Sequence, residues 1–232
     1  MSLENIPFSV VLAAGGVGSR MGAEIPKQYL PIYEKSLALY SFELFLSLSE
    51  VKEIVVVCEE CYQILFTSQA HEKKVSFALP GQRRQDSVFN GINALTCQDD
   101  SLVCIHDAAR PCIDAGLVRR IVKVAAEGGA AVAGVPVKGT IKVCNAEQMI
   151  LSTLERSSLW EMQTPQVIRL DILKAAYNKI LQSGGTVTDD VSLVELLGLP
   201  VQVVFGSYKN IKVTTPEDLI FVRGVLKDDV LL

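Results

Sequence analysis

Only two histidines, His71 and His106, occur among the 232 residues. The single CxxC motif, Cys58-Glu59-Glu60-Cys61, has no second cysteine pair to complete it. That scarcity argues against a structural zinc site, which needs four ligands at close spacing. Also missing is any run of about 18 consecutive apolar residues, the least that a membrane-spanning helix requires. The opening Met-Ser-Leu-Glu-Asn carries an acid where a secretory leader would carry basic residues. Nor is there an excess of positive charge: 22 Lys and Arg stand against 26 Asp and Glu, for a net charge of -4 and a pI near 5.3. Without a broad cationic field, coating of nucleic acid is excluded as the main role. These absences together read as an untargeted cytoplasmic chain that engages neither membrane nor nucleic acid. The six cysteines, Cys58, Cys61, Cys97, Cys104, Cys112 and Cys144, then read as reduced thiols.

What is present is a well-stocked core. Hydrophobic residues make up 49% of the chain and charged residues 21%, with a mean hydropathy of +0.31, values foreign to intrinsic disorder. A chain of this size buries about 70% of its surface on folding, enough for one ample core. A single domain over residues 1–232 is expected.

Short, mostly β-branched apolar runs at residues 8–12, 53–58, 75–79, 102–105, 130–137 and 201–205 read as strands. Between them Leu37, Tyr40, Leu44, Phe45 and Leu48 recur at helical spacing, as do Val88, Ile92 and Leu95, and Leu117, Ile121 and Ala125. This alternation predicts an α/β fold, a mostly parallel sheet with helices on both faces. The rhythm breaks over residues 136–166. There Lys138 to Val143 alternates as a strand and Thr164-Pro165-Gln166 stops the pattern, so a protruding β-arm is expected. Helical spacing returns over 170–180, 191–197 and 218–226, and Ile211 to Thr214 reads as a last short strand.

Directly after the first strand comes Ala13-Ala14-Gly15-Gly16-Val17-Gly18-Ser19-Arg20-Met21-Gly22. Small residues at such a turn let backbone N–H groups approach an anion, and a tight strand-to-helix turn would use them equally well. The dinucleotide fingerprint fails because Met21 stands where its third glycine belongs, and the P-loop pattern fails for want of Gly-Lys-Ser/Thr. Arg20 and Lys27 place two cations close by, and Pro26 restricts the backbone entering Lys27.

The loop followed by Pro26-Lys27-Gln28-Tyr29 resembles the signature of nucleotidyltransferases that act on sugar or polyol phosphates. More narrowly, the chain is similar to the 2-C-methyl-D-erythritol 4-phosphate cytidylyltransferase family. Further blocks match in order: residues 81–87 around Arg84, His106-Asp107-Ala108-Ala109-Arg110-Pro111, 135–142, 159–166, Thr188-Asp189-Asp190 and 210–218. Two departures stand out. Pro80-Gly81 replaces the usual Gly-Gly, and Arg83 stands where an acid is expected beside Arg84.

The resemblance implies a Rossmann-like nucleotide-diphospho-sugar transferase fold. It implies attack by a phosphomonoester oxygen on the α-phosphorus of CTP, with pyrophosphate leaving and with Mg²⁺ held mainly by the phosphates, without a firm protein ligand. Arg20, Lys27, Arg156 and Lys212 take the catalytic positions. Ala13, Ala14, Gly15, Gly16, Gly81, Ser87, Asp107 and Ala108 match nucleotide-binding positions. Asp107, Arg110, Thr140, Arg156, Thr164, Thr188 and Lys212 match those that bind the polyol phosphate acceptor. The arm implies a homodimer in which Thr140 and Arg156 serve the neighbouring site. His106 has no evident Ser or Cys partner and reads as a packing residue, while Thr188-Asp189-Asp190 alone would also serve as a helix cap. A ribitol 5-phosphate cytidylyltransferase and a non-catalytic CTP-binding module are the alternatives, and the failed glycine fingerprint argues against an NAD-dependent oxidoreductase.

Overall fold

A computed structural model describes residues 5–16, 25–69 and 73–230. In chain order the elements are β1 (Phe8–Ala13), β2 (Pro31–Ile32), β3 (Lys35–Ser36), α1 (Leu37–Ser47), β4 (Val51–Val57), α2 (Gln63–Thr67), β5 (Lys74–Ala78) and α3 (Arg84–Asn93). There follow β6 (Leu102–Asp107), α4 (Ala115–Gly128), β7 (Ala130–Pro136), β8 (Lys142–Cys144), β9 (Ile150–Thr153), β10 (Trp160–Arg169), α5 (Leu170–Ser183), α6 (Val191–Leu196), β11 (Gln202–Phe205) and α7 (Pro216–Val230).

Seven strands form one sheet in the order β11-β7-β10-β6-β1-β4-β5. β1 is parallel to both β4 and β6, β5 is parallel to β4, and β11 is parallel to β7. The central strands β1, β4 and β6 are buried on both faces, so they read as continuous apolar runs and not as alternating ones. Phe42 and Phe45 of α1, Phe66 of α2 and Leu117 of α4 pack on one face; Val88 of α3, Leu173 and Tyr177 of α5 and Val191 of α6 pack on the other. α4 is delimited by chemistry visible in the sequence. Asp114 accepts the Leu117 N–H at 2.8 Å at its start, and Gly129, at φ 85°, closes it in the left-handed conformation.

Three expectations need correction. Thr164-Pro165-Gln166 does not stop a strand: it lies inside β10, which runs antiparallel between β6 and β7. The register shifts between Met162 and Gln166, so the N–H that proline lacks falls in an irregularity of the ladder. Residues 211–214 form no strand; a single backbone bond, Val213 N–H to the Ala109 carbonyl at 2.9 Å, ties them to the loop after β6. At α6 the capping acceptor is Asp189, which takes the Ser192 N–H at 3.1 Å, and not Thr188.

The expected excursion is present as the β8–β9 hairpin, exposed over residues 139–158. All six cysteines are free thiols. Among the described residues no helix is long and apolar enough to cross a membrane.

Candidate active site

Strand order reverses direction around β1, whose neighbours lead away on either side, and in open α/β sheets ligands collect at the carboxyl ends of strands at such a point. There Ala13 and Asp107, register partners at the ends of β1 and β6, form the floor of a cleft of about 300 Å³. Gly15 and Gly16 edge it, Gly81, Arg84 and Ser87 form a second wall, and Lys27 and Lys212 face it from two further segments.

The loop after β1 is fixed by backbone bonds. The Ala14 N–H donates to the Val57 carbonyl at 2.9 Å, and the Ala108 N–H donates to the Ala13 carbonyl at 3.0 Å. Gly15 leaves no room for a side chain: a Cβ there would lie 2.3 Å from the Pro80 Cβ. The departure at Pro80 therefore packs on the loop itself. Gly81 is equally constrained, its hypothetical Cβ falling 2.4 Å from that of Asp86. Its N–H donates to the Ser87 hydroxyl at 3.0 Å, and that hydroxyl donates to the Arg83 carbonyl at 3.1 Å.

The second departure resolves into a division of labour. Arg83 is exposed and pairs with Asp86 at 2.8 Å beside the start of α3. Arg84 turns inward, donating from Nε to Asp107 Oδ1 at 2.9 Å and from both terminal nitrogens to Asp190 at 3.0 and 2.8 Å. Lys212 Nζ holds the other oxygen, Asp107 Oδ2, at 2.6 Å. Burial alone would raise the Asp107 carboxyl, but Arg84 and Lys212 hold it well below the usual carboxylate range. Burial pushes Asp190 the other way, upward, against the pull of Arg84. Arg84 and Asp190 belong to matched blocks yet were assigned no role in the sequence, where nothing signals that residues 84, 107 and 190 meet.

His106, fully buried, needs one tautomer. Its Nε2 lies 3.0 Å from the Arg110 carbonyl, which can only accept, so Nε2 carries the proton. Thr164 Oγ1 accepts the Asp107 N–H at 3.1 Å and, 3.0 Å from His106 Nδ1, donates its own hydrogen there. Burial pushes the imidazole down to about 4, so it is neutral and structural, as read from the sequence.

The expected site residues therefore separate. Ala13, Gly15, Gly16, Lys27, Gly81, Ser87, Asp107 and Lys212 converge on the cleft, with Ala14 and Ala108 buried directly behind it. Arg110 and Thr164 are buried under the floor, Arg110 donating to the Asn210 carbonyl at 2.8 Å. Thr188 borders a different hollow, beside Asp189 and Val203. Thr140 and Arg156 lie on the exposed arm, where Arg156 Nη1 donates to the Lys138 carbonyl at 2.7 Å. Arg20 lies outside the described residues.

Glycine backbone, two lysines and an arginine lining one cleft make a receptor for a polyanion. The comparisons agree with that chemistry. The family model for 2-C-methyl-D-erythritol 4-phosphate cytidylyltransferase (IspD) matches residues 8–228. The chain is 47% identical over 222 residues to the chloroplastic 2-C-methyl-D-erythritol 4-phosphate cytidylyltransferase of Oryza sativa subsp. japonica, covering 95% of this chain and 74% of that one. To the enzyme of the same name from Pelotomaculum thermopropionicum it is 42% identical, covering 94% of both. The crystal structure of 4-diphosphocytidyl-2C-methyl-D-erythritol synthase from Anaerococcus prevotii superposes with a TM-score of 0.83 at 26% identity, covering 97% of this chain and 100% of that one. With a family match running from the first residue of β1 into α7, the chain belongs to the 2-C-methyl-D-erythritol 4-phosphate cytidylyltransferase family.

Proposed function

We propose that the cleft floored by Ala13 and Asp107 is where this chain, a cytidylyltransferase by family, transfers the cytidylyl group of CTP to 2-C-methyl-D-erythritol 4-phosphate. The observation that carries the placement is the convergence of Lys27, Lys212 and Asp107 on the glycine loop. A phosphomonoester oxygen, largely deprotonated with a second pKa near 6, attacks the α-phosphorus. A new P–O bond forms, the bond to the bridging oxygen breaks, and pyrophosphate leaves with the electron pair. No general base is demanded, so a neutral, buried His106 is no obstacle. Catalysis comes from positioning and charge neutralisation, with Arg20 and Lys27 serving the phosphorus.

The nucleotide lies along Ala13, Ala14, Gly15 and Gly16 and meets Gly81, Ser87 and the Ala108 backbone. Asp107 and Lys212 serve the acceptor in the cleft and Arg110 and Thr164 support its floor, while Thr188, beside a different hollow, takes no part in it. Asp107 is the one carboxylate bordering the cleft among the described residues, and Arg84 and Lys212 hold its two oxygens, so a hard divalent cation there would be held mainly by the phosphates of the substrate. Mg²⁺ there would offset the charge of the triphosphate, with Asp107 beside it.

Ile150 and Leu151 on the arm are each 64% exposed, and Met149 is 65% exposed. An apolar hairpin of this kind supports a homodimer in which each arm brings Thr140 and Arg156 to the partner's cleft. The fold is read as one domain, and the free cysteines agree with a cytoplasmic setting. The test is Mg²⁺-dependent pyrophosphate release from CTP, with 2-C-methyl-D-erythritol 4-phosphate and ribitol 5-phosphate in parallel. Release with the first alone is expected. Release with ribitol 5-phosphate alone would overturn the acceptor, and CTP binding without release would leave a binding module.

A further inference from the structure

We infer that Gln28 is a positioning residue that sets the nucleotide loop and ties it to Lys27; this deepens the reading of the cleft given above and rests on it. Gln28 is 3% exposed and borders the cleft. Its single side-chain nitrogen donates to two carbonyls of the loop after β1, that of Ala14 at 2.6 Å and that of Gly16 at 2.8 Å. An amide nitrogen has two hydrogens, so both donors are spent on the loop. In a planar trans peptide the C=O of one residue and the N–H of the next point in opposite directions. Drawing the Ala14 carbonyl onto Gln28 therefore directs the Gly15 N–H away from Gln28 and keeps two carbonyl oxygens engaged that would otherwise be available to repel a triphosphate.

The neighbours of Gln28 make the clamp rigid. Residues 27–29 form one turn of 3-10 helix, with the Tyr29 N–H on the Pro26 carbonyl at 2.9 Å. The Tyr29 hydroxyl donates to the same Ala14 carbonyl at 2.7 Å, and its ring stacks on Tyr62 with centroids 3.7 Å apart. One short turn thus presents a cation at residue 27, a clamp at 28 and an anchor at 29. The distance between Lys27 and the phosphate-binding backbone is set by Gln28, its immediate neighbour in the chain.

The experiment compares CTP binding by calorimetry, without acceptor, for the unaltered chain, Gln28→Met and Tyr29→Phe, each checked by thermal melting, alongside steady-state KM for both substrates. Gln28→Met keeps the length and removes both donors. It should weaken CTP binding and raise KM for CTP by about 10- to 100-fold, since a displacement of about 1 Å in a positioning contact has effects of that order. KM for the acceptor should stay within about twofold, the signature of a loss confined to one substrate. Tyr29→Phe removes one of the three hydrogen bonds that Gln28 and Tyr29 make to the Ala14 and Gly16 carbonyls and should show a smaller effect in the same direction. Equal CTP affinity for Gln28→Met and the unaltered chain would overturn the role of Gln28 alone, as would equal increases in both KM values. Failure of the unaltered chain to bind CTP would overturn the underlying reading together with this one.

Discussion

Arg84 joins two acids that the chain brings from distant places, Asp107 at the end of β6 and Asp190 just before α6, through three hydrogen bonds of 2.8 to 3.0 Å. Asp190 is only 1% exposed. Removing the cation leaves a buried carboxylate unpaired, so Arg84→Met should destabilise the fold by about 3 kcal/mol near neutral pH. Because burial already pushes Asp190 upward, the variant can shed the penalty by protonating it. Urea unfolding of Arg84→Met and the unaltered chain should show the deficit shrinking as pH falls towards 5. A deficit independent of pH would mean that the lost contact is steric and not electrostatic.

The His106 tautomer makes a second pH prediction. An unfolded imidazole titrates near 6.5, whereas burial holds His106 down at about 4. Between those values the unfolded chain binds a proton that the native chain refuses. Stability from this group is complete above about pH 6.5 and declines as pH falls, by up to about 3 kcal/mol near pH 4. In His106→Gln the slope of unfolding free energy between pH 6.5 and 5 should flatten. An unchanged slope would assign the acid sensitivity to other groups.

Gly15 and Pro80 form a contact that a pair of substitutions can dissect. Gly15→Ala puts a methyl group 2.3 Å from a proline ring atom, and neither side can swing aside as a long flexible chain would. The loop must move, and CTP affinity should fall by about tenfold or more. Adding Pro80→Gly removes the obstructing ring and should restore part of the loss, a coupling expected of residues in contact. Two independent, additive losses would separate Pro80 from the loop.

Much of this fold was legible because its central strands are buried on both faces and its helices carry clear apolar spacing. β10 was not, since a proline within an apolar run normally marks an end, and only the neighbouring strands show that the ladder shifts register at Pro165. In the cleft the glycines and Lys27 announce themselves as one contiguous segment. Arg84 and Asp190 do not, because 106 residues separate them and their meeting depends on how α3 and α6 dock on the sheet. Gln28 sat inside a recognised motif, yet no spacing rule tells that an amide will satisfy two carbonyls 12 and 14 residues upstream.

The shared-site reading is decided by mixing two defective chains. Lys27→Ala removes a cation bordering the cleft and should lower turnover by about 10²-fold, the scale of one lost transition-state donor. Arg156→Ala acts from the exposed arm and should cripple the partner's cleft while leaving its own chain's Lys27 intact. In a mixed dimer, one cleft then lacks both groups, while the other combines Lys27 from one chain with Arg156 from its partner and is whole. Random reassortment of the two inactive proteins should therefore recover about a quarter of the unaltered activity. If each arm instead served its own chain's cleft, no dimer in the mixture would contain an intact site, and activity would stay at the level of the separate variants. The same preparations report on assembly: replacing Ile150 and Leu151 with Asp removes the exposed apolar face of the arm. That change should yield monomers by light scattering, with activity lost although both altered positions lie on the hairpin and outside the cleft.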